Sequence, residues 1–124
     1  MTETPHEIES ELRDLEGQLY EASREYRNQA RHAAECRALY DVEYAKAMLV
    51  IISTADQNNV KMTVAEKESL AVKQVENYLT NCRIAEAMAD GTKKHLDALQ
   101  SILSSVQTRA RLLQTERSLT AYQT

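Results

Sequence analysis

Backbone breakers are nearly missing from this chain. Of 124 residues, one is proline (Pro5) and two are glycine (Gly17 and Gly91). Proline removes a backbone donor and glycine loses the most entropy on ordering, so turn-rich folds are dense in both. Their scarcity predicts a helical, elongated chain. Tryptophan and phenylalanine are absent, and six tyrosines are the only aromatics. A compact globule wants bulky aromatic anchors, whereas a helix-on-helix seam needs only Leu, Ala and Val. No apolar run approaches membrane-spanning length, the longest being Ala47 to Ile52. The N-terminus is polar and acidic, which predicts no signal peptide and a cytoplasmic chain (host cytoplasm if phage-encoded).

The usual carriers of chemistry are also missing. No CxxC is present, and Cys36 and Cys82 read as two small buried thiols in a helical seam. His6, His32 and His95 are scattered, with no pair at the i, i+4 spacing that lets one helix hold a metal. No glycine-rich loop cradles phosphate, and no serine or threonine has a partner base. The chain is therefore expected to be no enzyme, with no catalytic residue, metal, cofactor or small-molecule substrate.

What is present is a long apolar rhythm. Thr4-Pro5-His6-Glu7 is a capping box with proline in the first turn. Leu12, Leu15, Leu19, Ala22, Tyr26, Ala33, Cys36, Tyr40, Ala47 and Val50 follow at 3–4 spacing, with Gln29 and Glu43 as polar interruptions. This predicts a helix from about residue 5 to 53. Ala55-Asp56-Gln57-Asn58-Asn59 is the one clear turn signal, within a turn spanning 54–62. Thr63-Val64-Ala65-Glu66 is a second capping box, opening a helix from about 63 to 118. Its stripe is Val75, Leu79, Cys82, Ala85, Ala89, Leu96, Leu99, Leu103, Val106, Ala110 and Leu113. Asp90-Gly91-Thr92 is the place for a kink, although the stripe keeps its phase across it.

The fold class expected is all-α: one domain over 1–124, two long antiparallel helices forming a coiled-coil hairpin, assembled into a helical oligomer. Facing residues in such a hairpin have numbers adding to a constant. At 118 the stripes coincide, with Leu12 against Val106, Leu15 against Leu103, Leu19 against Leu99 and Cys36 against Cys82. The same register places Glu9 near Arg109, Glu7 near Arg111 and Glu35 near Arg83. Leu12, Leu15, Leu19, Tyr40, Leu99, Leu103 and Val106 are the seam residues assigned to the partner or oligomer interface. Ile8, Val42, Met48, Leu49, Ile51, Leu70, Val72, Ile84, Met88, Ile102 and Leu112 are left over by the two-helix seam, and their burial calls for further copies of the chain.

Charge is uneven. Residues 1–60 carry twelve acids and six bases, while residues 61–124 carry seven acids and nine bases. Seven acids fall in the first 21 residues, from Glu3 to Glu21. Net acidity argues against a generic DNA-coating protein. Arg24, Arg27 and Arg31 nevertheless share one helical face beside Tyr20, a pattern that can track a phosphate backbone and stack a base.

The stretch Tyr44-Ala45-Lys46-Ala47-Met48-Leu49, then a polar turn, then a helix ending Leu99-Gln100-Ser101-Ile102-Leu103-Ser104-Ser105-Val106-Gln107 resembles small helical proteins of phage replication and recombination. More distantly it is similar to UvsY-like recombination mediators. That resemblance implies an all-α oligomer that contacts single-stranded DNA together with a recombinase or a single-strand-binding protein. Lys46 matches the lysine of the family's Lys-x-Arg pair, and Met48 stands where its arginine would be. Lys46, Arg24, Arg27 and Arg31 are thus the candidate phosphate contacts. Two other classes fit the composition: an acidic nucleic-acid mimic that inhibits a host nuclease, and a coiled-coil scaffold without ligand.

Overall fold

The computed structural model describes residues 4–123, with side chains through residue 121. Glu3, counted in the acidic run, lies outside the described residues. Three helices follow one another: α1 (Pro5–Gln57), α2 (Val64–Gln74) and α3 (Glu76–Gln123). The first begins as its sequence dictates. Thr4 N–H donates to Glu7 Oε2 at 3.1 Å, and Glu7 N–H donates to Thr4 Oγ1 at 3.2 Å. Two of the orphan donors at the helix start are thereby satisfied, and Pro5 has none to satisfy.

The helix α1 runs four residues past the predicted end and stops at the asparagine pair. Asn59 adopts a left-handed φ of 51°, which asparagine tolerates better than most residues. Its N–H reaches Asp56 O at 3.4 Å and Val60 N–H reaches Ala55 O at 2.9 Å. That double bond pattern is a Schellman ending, and it uses two carbonyls the helix leaves open. Thr63 then caps α2 by accepting from Glu66 N–H at 3.1 Å.

Of the two outcomes left open at Gly91, a break or a continuous helix, the helix is continuous. The helix α3 passes through Gly91 without interruption, no glycine has positive φ, and an added Cβ would meet nothing within 4 Å. The irregular residue is Val75, with φ −108° and ψ 21°. Val75 N–H still bonds Ala71 O at 3.2 Å, and Leu79 N–H bonds Val75 O at 3.1 Å. The interruption in the helix expected over 63–118 thus falls at Val75, a buried β-branched residue, and not at the exposed Gly91.

The chain forms two compact units. Unit 1 holds residues 1–26 and 91–124; unit 2 holds residues 27–90. In unit 1, a segment of α1 and a segment of α3 share a core of Ile8, Leu15, Ala22, Leu99 and Val106. Leu12, Leu19, Leu96, Leu103, Ala110 and Leu113 pack around it. Unit 2 is a helical hairpin closed by the asparagine turn. Its core is Ala47, Ile51, Ala71 and Val75, with Tyr40, Tyr44, Met48 and Met62 against it.

Two parts of the predicted packing are corrected. Val50, placed on the seam, is 60% exposed, whereas Ile51 and Ala55 are buried. After Ala47 the buried positions step by four, to Ile51 and Ala55, and across the turn they step by four again, through Ala71, Val75 and half-buried Leu79. Consecutive steps of four rotate the buried stripe away from Val50. Ile8 and Ile51, expected to need a second copy for burial, are buried within the chain itself. Ile51→Ala is expected to destabilise the fold by about 2–4 kcal/mol and Val50→Ala by less than about 0.5 kcal/mol, as read by urea denaturation. Equal losses would restore Val50 to the seam.

Candidate interaction surface and polar node

The two units hide different kinds of residue. Unit 1 buries isoleucine, leucine and valine along with Ala22. In unit 2 most of the buried positions are small: Ala33, Ala47, Ala55, Ala71, Ala85, Ala89 and Cys82, beside Ile51 and Val75. Most of its larger aliphatics lie outside. Leu39, Val42, Leu49, Val50, Ile52, Val60, Val64, Leu70, Ile84 and Met88 are exposed, against Ile102, Leu112 and Leu119 in unit 1. At the hairpin tip, Val50, Val60 and Leu70 line an open apolar groove of about 250 Å³, floored by Ile51 and Ala55. Unit 1 has a groove of about 220 Å³ between Pro5, Ile8 and Leu12 on one side and Ala110, Leu113 and Arg117 on the other.

Polar contacts between helix segments flank the seam. In unit 1, Arg109 Nη2 donates to Glu11 Oε1 at 3.0 Å. In unit 2, Arg37 donates from Nε at 3.0 Å and from Nη2 at 2.8 Å, both to Glu86 Oε1. The register had placed Arg109 with Glu9 and had paired Glu35 with Arg83. Glu11 and Arg109 each immediately precede a seam residue (Leu12 and Ala110), and Arg37 and Glu86 each immediately follow one (Cys36 and Ala85). Reversing one helix end for end puts two preceding flanks on one side of a seam and two following flanks on the other. Glu9 follows Ile8, so it lies on the flank opposite Arg109.

The Arg37–Glu86 pair is part of a larger polar node. Cys82 Sγ donates to Glu86 Oε1 at 3.2 Å. Arg37 also lies 5.6 Å from the Tyr40 ring centroid, and Tyr40 lies 6.0 Å from Tyr44. On the same turn of α1, His32 Nε2 lies 3.6 Å from Cys36 Sγ. The Arg37 guanidinium and the Cys82 thiol together hold the Glu86 carboxylate below the usual carboxylate range. Burial, followed by the hydrogen bond to Glu86, pushes the Cys82 thiol above the ordinary thiol range. The sequence reading passed over His32/Cys36 and Cys82/Glu86 as pairs. Their shared i, i+4 spacing was the available signal, because residues so spaced meet on one helix face.

The candidate phosphate contacts lie on α1 and are exposed. Arg24 belongs to unit 1; Arg27, Arg31 and Lys46 belong to unit 2. Lys46 Nζ is drawn to Glu43 Oε1 at 3.4 Å, while Arg24, Arg27 and Arg31 join none of the ion pairs above. Of the residues assigned to a partner interface, Leu12, Leu15, Leu19, Leu99, Leu103 and Val106 lie in the core of unit 1, and Tyr40 packs half-buried in unit 2. Hydroxyls of Ser101, Thr108, Thr115 and Thr120 donate to the carbonyl four residues back, within their own helix. Among the described residues, no three His, Cys, Asp or Glu side chains are grouped to hold a metal ion, and no helix is long and apolar enough to cross a membrane.

Set beside known proteins, the chain matches no protein-family model, no curated protein and no solved structure.

The node fixes two pH dependences. Glu86 has a lowered folded pKa, so the unfolded chain binds more protons as pH falls through the carboxylate range. Its stabilisation is present above the unfolded value and is lost as pH drops through the folded one. Cys82 has a raised folded pKa, so its contribution is complete below the ordinary thiol range and fades as pH rises through the folded value. The melting-temperature difference between the native chain and Glu86→Gln should vanish in acid. Cys82→Ala should flatten the alkaline slope. Thermal melts across pH 3 to 10 read both, and parallel curves would contradict this account.

Proposed function

We propose that the protein acts by binding, as a helical assembly module whose second unit joins two copies of the chain. The observation that supports this is an imbalance: apart from Ile51 and Val75, the buried positions of unit 2 are alanine and Cys82, while most of its leucine, valine and isoleucine is exposed. Each buried methylene contributes about 0.8 kcal/mol, so an alanine seam stabilises its hairpin weakly while the larger side chains remain in water. A surface of that kind marks an interaction site. The occupant is taken to be a second copy because the tip is nearly uncharged. Residues 47–62 carry one acid, Asp56, and one base, Lys61. Two such tips meet without like-charge repulsion, and the same patch serves both sides of a two-fold interface. Leu39, Val42 and Leu49 add a ridge at heptad spacing along α1, with Lys46 at the intervening position.

Light scattering coupled to size exclusion tests this. The native chain should elute as a dimer or larger species at micromolar concentration, and Leu49→Glu with Val50→Glu should yield a monomer of unchanged helical circular dichroism. A native chain that stays monomeric at about 100 μM, a concentration at which a specific interface of ordinary affinity is saturated, would remove the proposal.

A second reading is favoured by the three exposed arginines. An accessory protein of DNA recombination, working with a recombinase or a single-strand-binding protein, would use Arg24, Arg27 and Arg31 on phosphates, with Lys46 beside them. Assembly would repeat this short stripe and multiply weak contacts. Binding of a labelled single strand should then weaken steeply with salt, and Arg24→Gln, Arg27→Gln and Arg31→Gln together should reduce the salt slope by about two to three. Absence of binding at low salt would dismiss the reading.

A further inference from the structure

In unit 1 the two sides of the seam differ in chemistry. Residues that immediately precede seam positions share one side, where Arg109 of α3 bonds Glu11 of α1. On α1 that row is Glu7, Glu11, Asp14, Gln18 and Glu21, four acids and no base. On α3 it is Ile102, Ser105, Arg109 and Leu112, continued at the same spacing by Glu116 and Leu119. Among the described residues of unit 1, the exposed large aliphatics are Ile102, Leu112 and Leu119, and all three fall in this row. Residues that immediately follow seam positions form the other side. There α3 presents Gln100, Ser104, Gln107, Arg111 and Gln114, and on α1 Arg13 lies between Glu9 and Glu16. Exposed apolar residues and uncompensated acids therefore border the same side, one on each helix.

We propose that this side of unit 1 is the docking site of a basic amphipathic helix from a partner protein. One residue of an α-helix is about 100° of rotation, so the second row of α3 stands roughly a right angle from its buried one. A helix at the corner of a four-helix square meets its two neighbours at that angle, and α3 has one of them in α1. The incoming helix covers Ile102, Leu112 and Leu119 with an apolar stripe at three–four spacing. Its flank then runs beside α1, where Glu7, Asp14 and Glu21 are exposed. An acidic flank is repelled there, whereas lysine or arginine is drawn in and fixes the orientation. A second copy of this chain is a poor occupant. Its own α3 row holds one base, Arg109, already bonded to Glu11, and its Leu39–Leu49 ridge holds one, Lys46, drawn to Glu43. The site uses no residue of the hairpin tip.

The probe is a fluorescent peptide of about three heptads, with leucine at a and d, lysine at e and g, and glutamine elsewhere. Anisotropy titration with the full chain should give a dissociation constant of about 10 μM or tighter, and the same peptide with glutamate in place of lysine should not bind. Leu112→Glu with Leu119→Glu should weaken binding by about tenfold or more at unchanged helical circular dichroism, because both side chains are exposed. Asp14→Asn with Glu21→Gln should also weaken it by about tenfold. Glu9→Gln with Glu16→Gln removes the same charge from the other side and should leave binding within about twofold of the native chain. Leu49→Glu with Val50→Glu should bind as the native chain does, so the result is independent of assembly through the tip. Equal binding of the two peptides, an equal loss from the Glu9 and Glu16 substitutions, or no binding at about 100 μM would each overturn the proposal. A dimer of the tip variant that Leu112→Glu with Leu119→Glu dissolves would overturn it too, by assigning this side to a second copy.

Discussion

A helix in a two-helix layer has one neighbour, and so it can bury one stripe. Everything else in this protein depends on that constraint. Unit 1 sets a segment of α1 beside a segment of α3, unit 2 sets α1 beside α2 and the start of α3, and burial is confined to positions spaced by three and four. What occupies those positions then decides how each unit behaves. Ile8, Leu15, Leu99 and Val106 give unit 1 side chains large enough to interdigitate. Alanine in unit 2 admits close approach but removes little apolar area from water, and no third layer is present to cover the rest. Exposure of Leu49, Val50 and Leu70 is the consequence of a seam made small.

The same constraint explains why so much of the fold was readable in the residues. A stripe that must be apolar shows itself by spacing, and every stripe position named for the second helix, from Val75 to Leu113, is buried or half-buried. Local chemistry was equally legible: Thr4 and Glu7 cap each other, and the asparagine pair ends α1, because these residues act through bonds within a few positions of themselves. The failures share a cause. Val50 was placed by continuing a three–four alternation, but the choice between Val50 and Ile51 is made by how the hairpin closes, which is a tertiary decision. The ion pairs were placed by facing numbers adding to 118, and the observed pairs, Glu11–Arg109 and Arg37–Glu86, lie two and five residues beyond that constant, so the level of each contact was missed along with its side. Gly91 was left open between a kink and a continuous helix, because a single glycine costs a helix only about 1 kcal/mol and its identity does not decide between them.

The polar node was legible in principle and was missed. His32 and Cys36 share a face, as do Cys82 and Glu86, and the register already set Cys36 against Cys82. Attention to metal-ligand spacing among histidines alone separated residues that belong together. The exposed tip was harder to foresee, since its apolar side chains become an exposed set only once the phase of the seam is known. An apolar residue in a helical sequence carries no mark saying whether it is core or interface; only the neighbour it lacks reveals that.

The alanine seam therefore leaves unit 2 short of buried area, with Leu49, Val50 and the apolar groove that Val50 borders open to solvent. A unit weakly held by its own core is the kind of element whose order can be set by what binds it, because a contribution of a few kcal/mol is large beside its own.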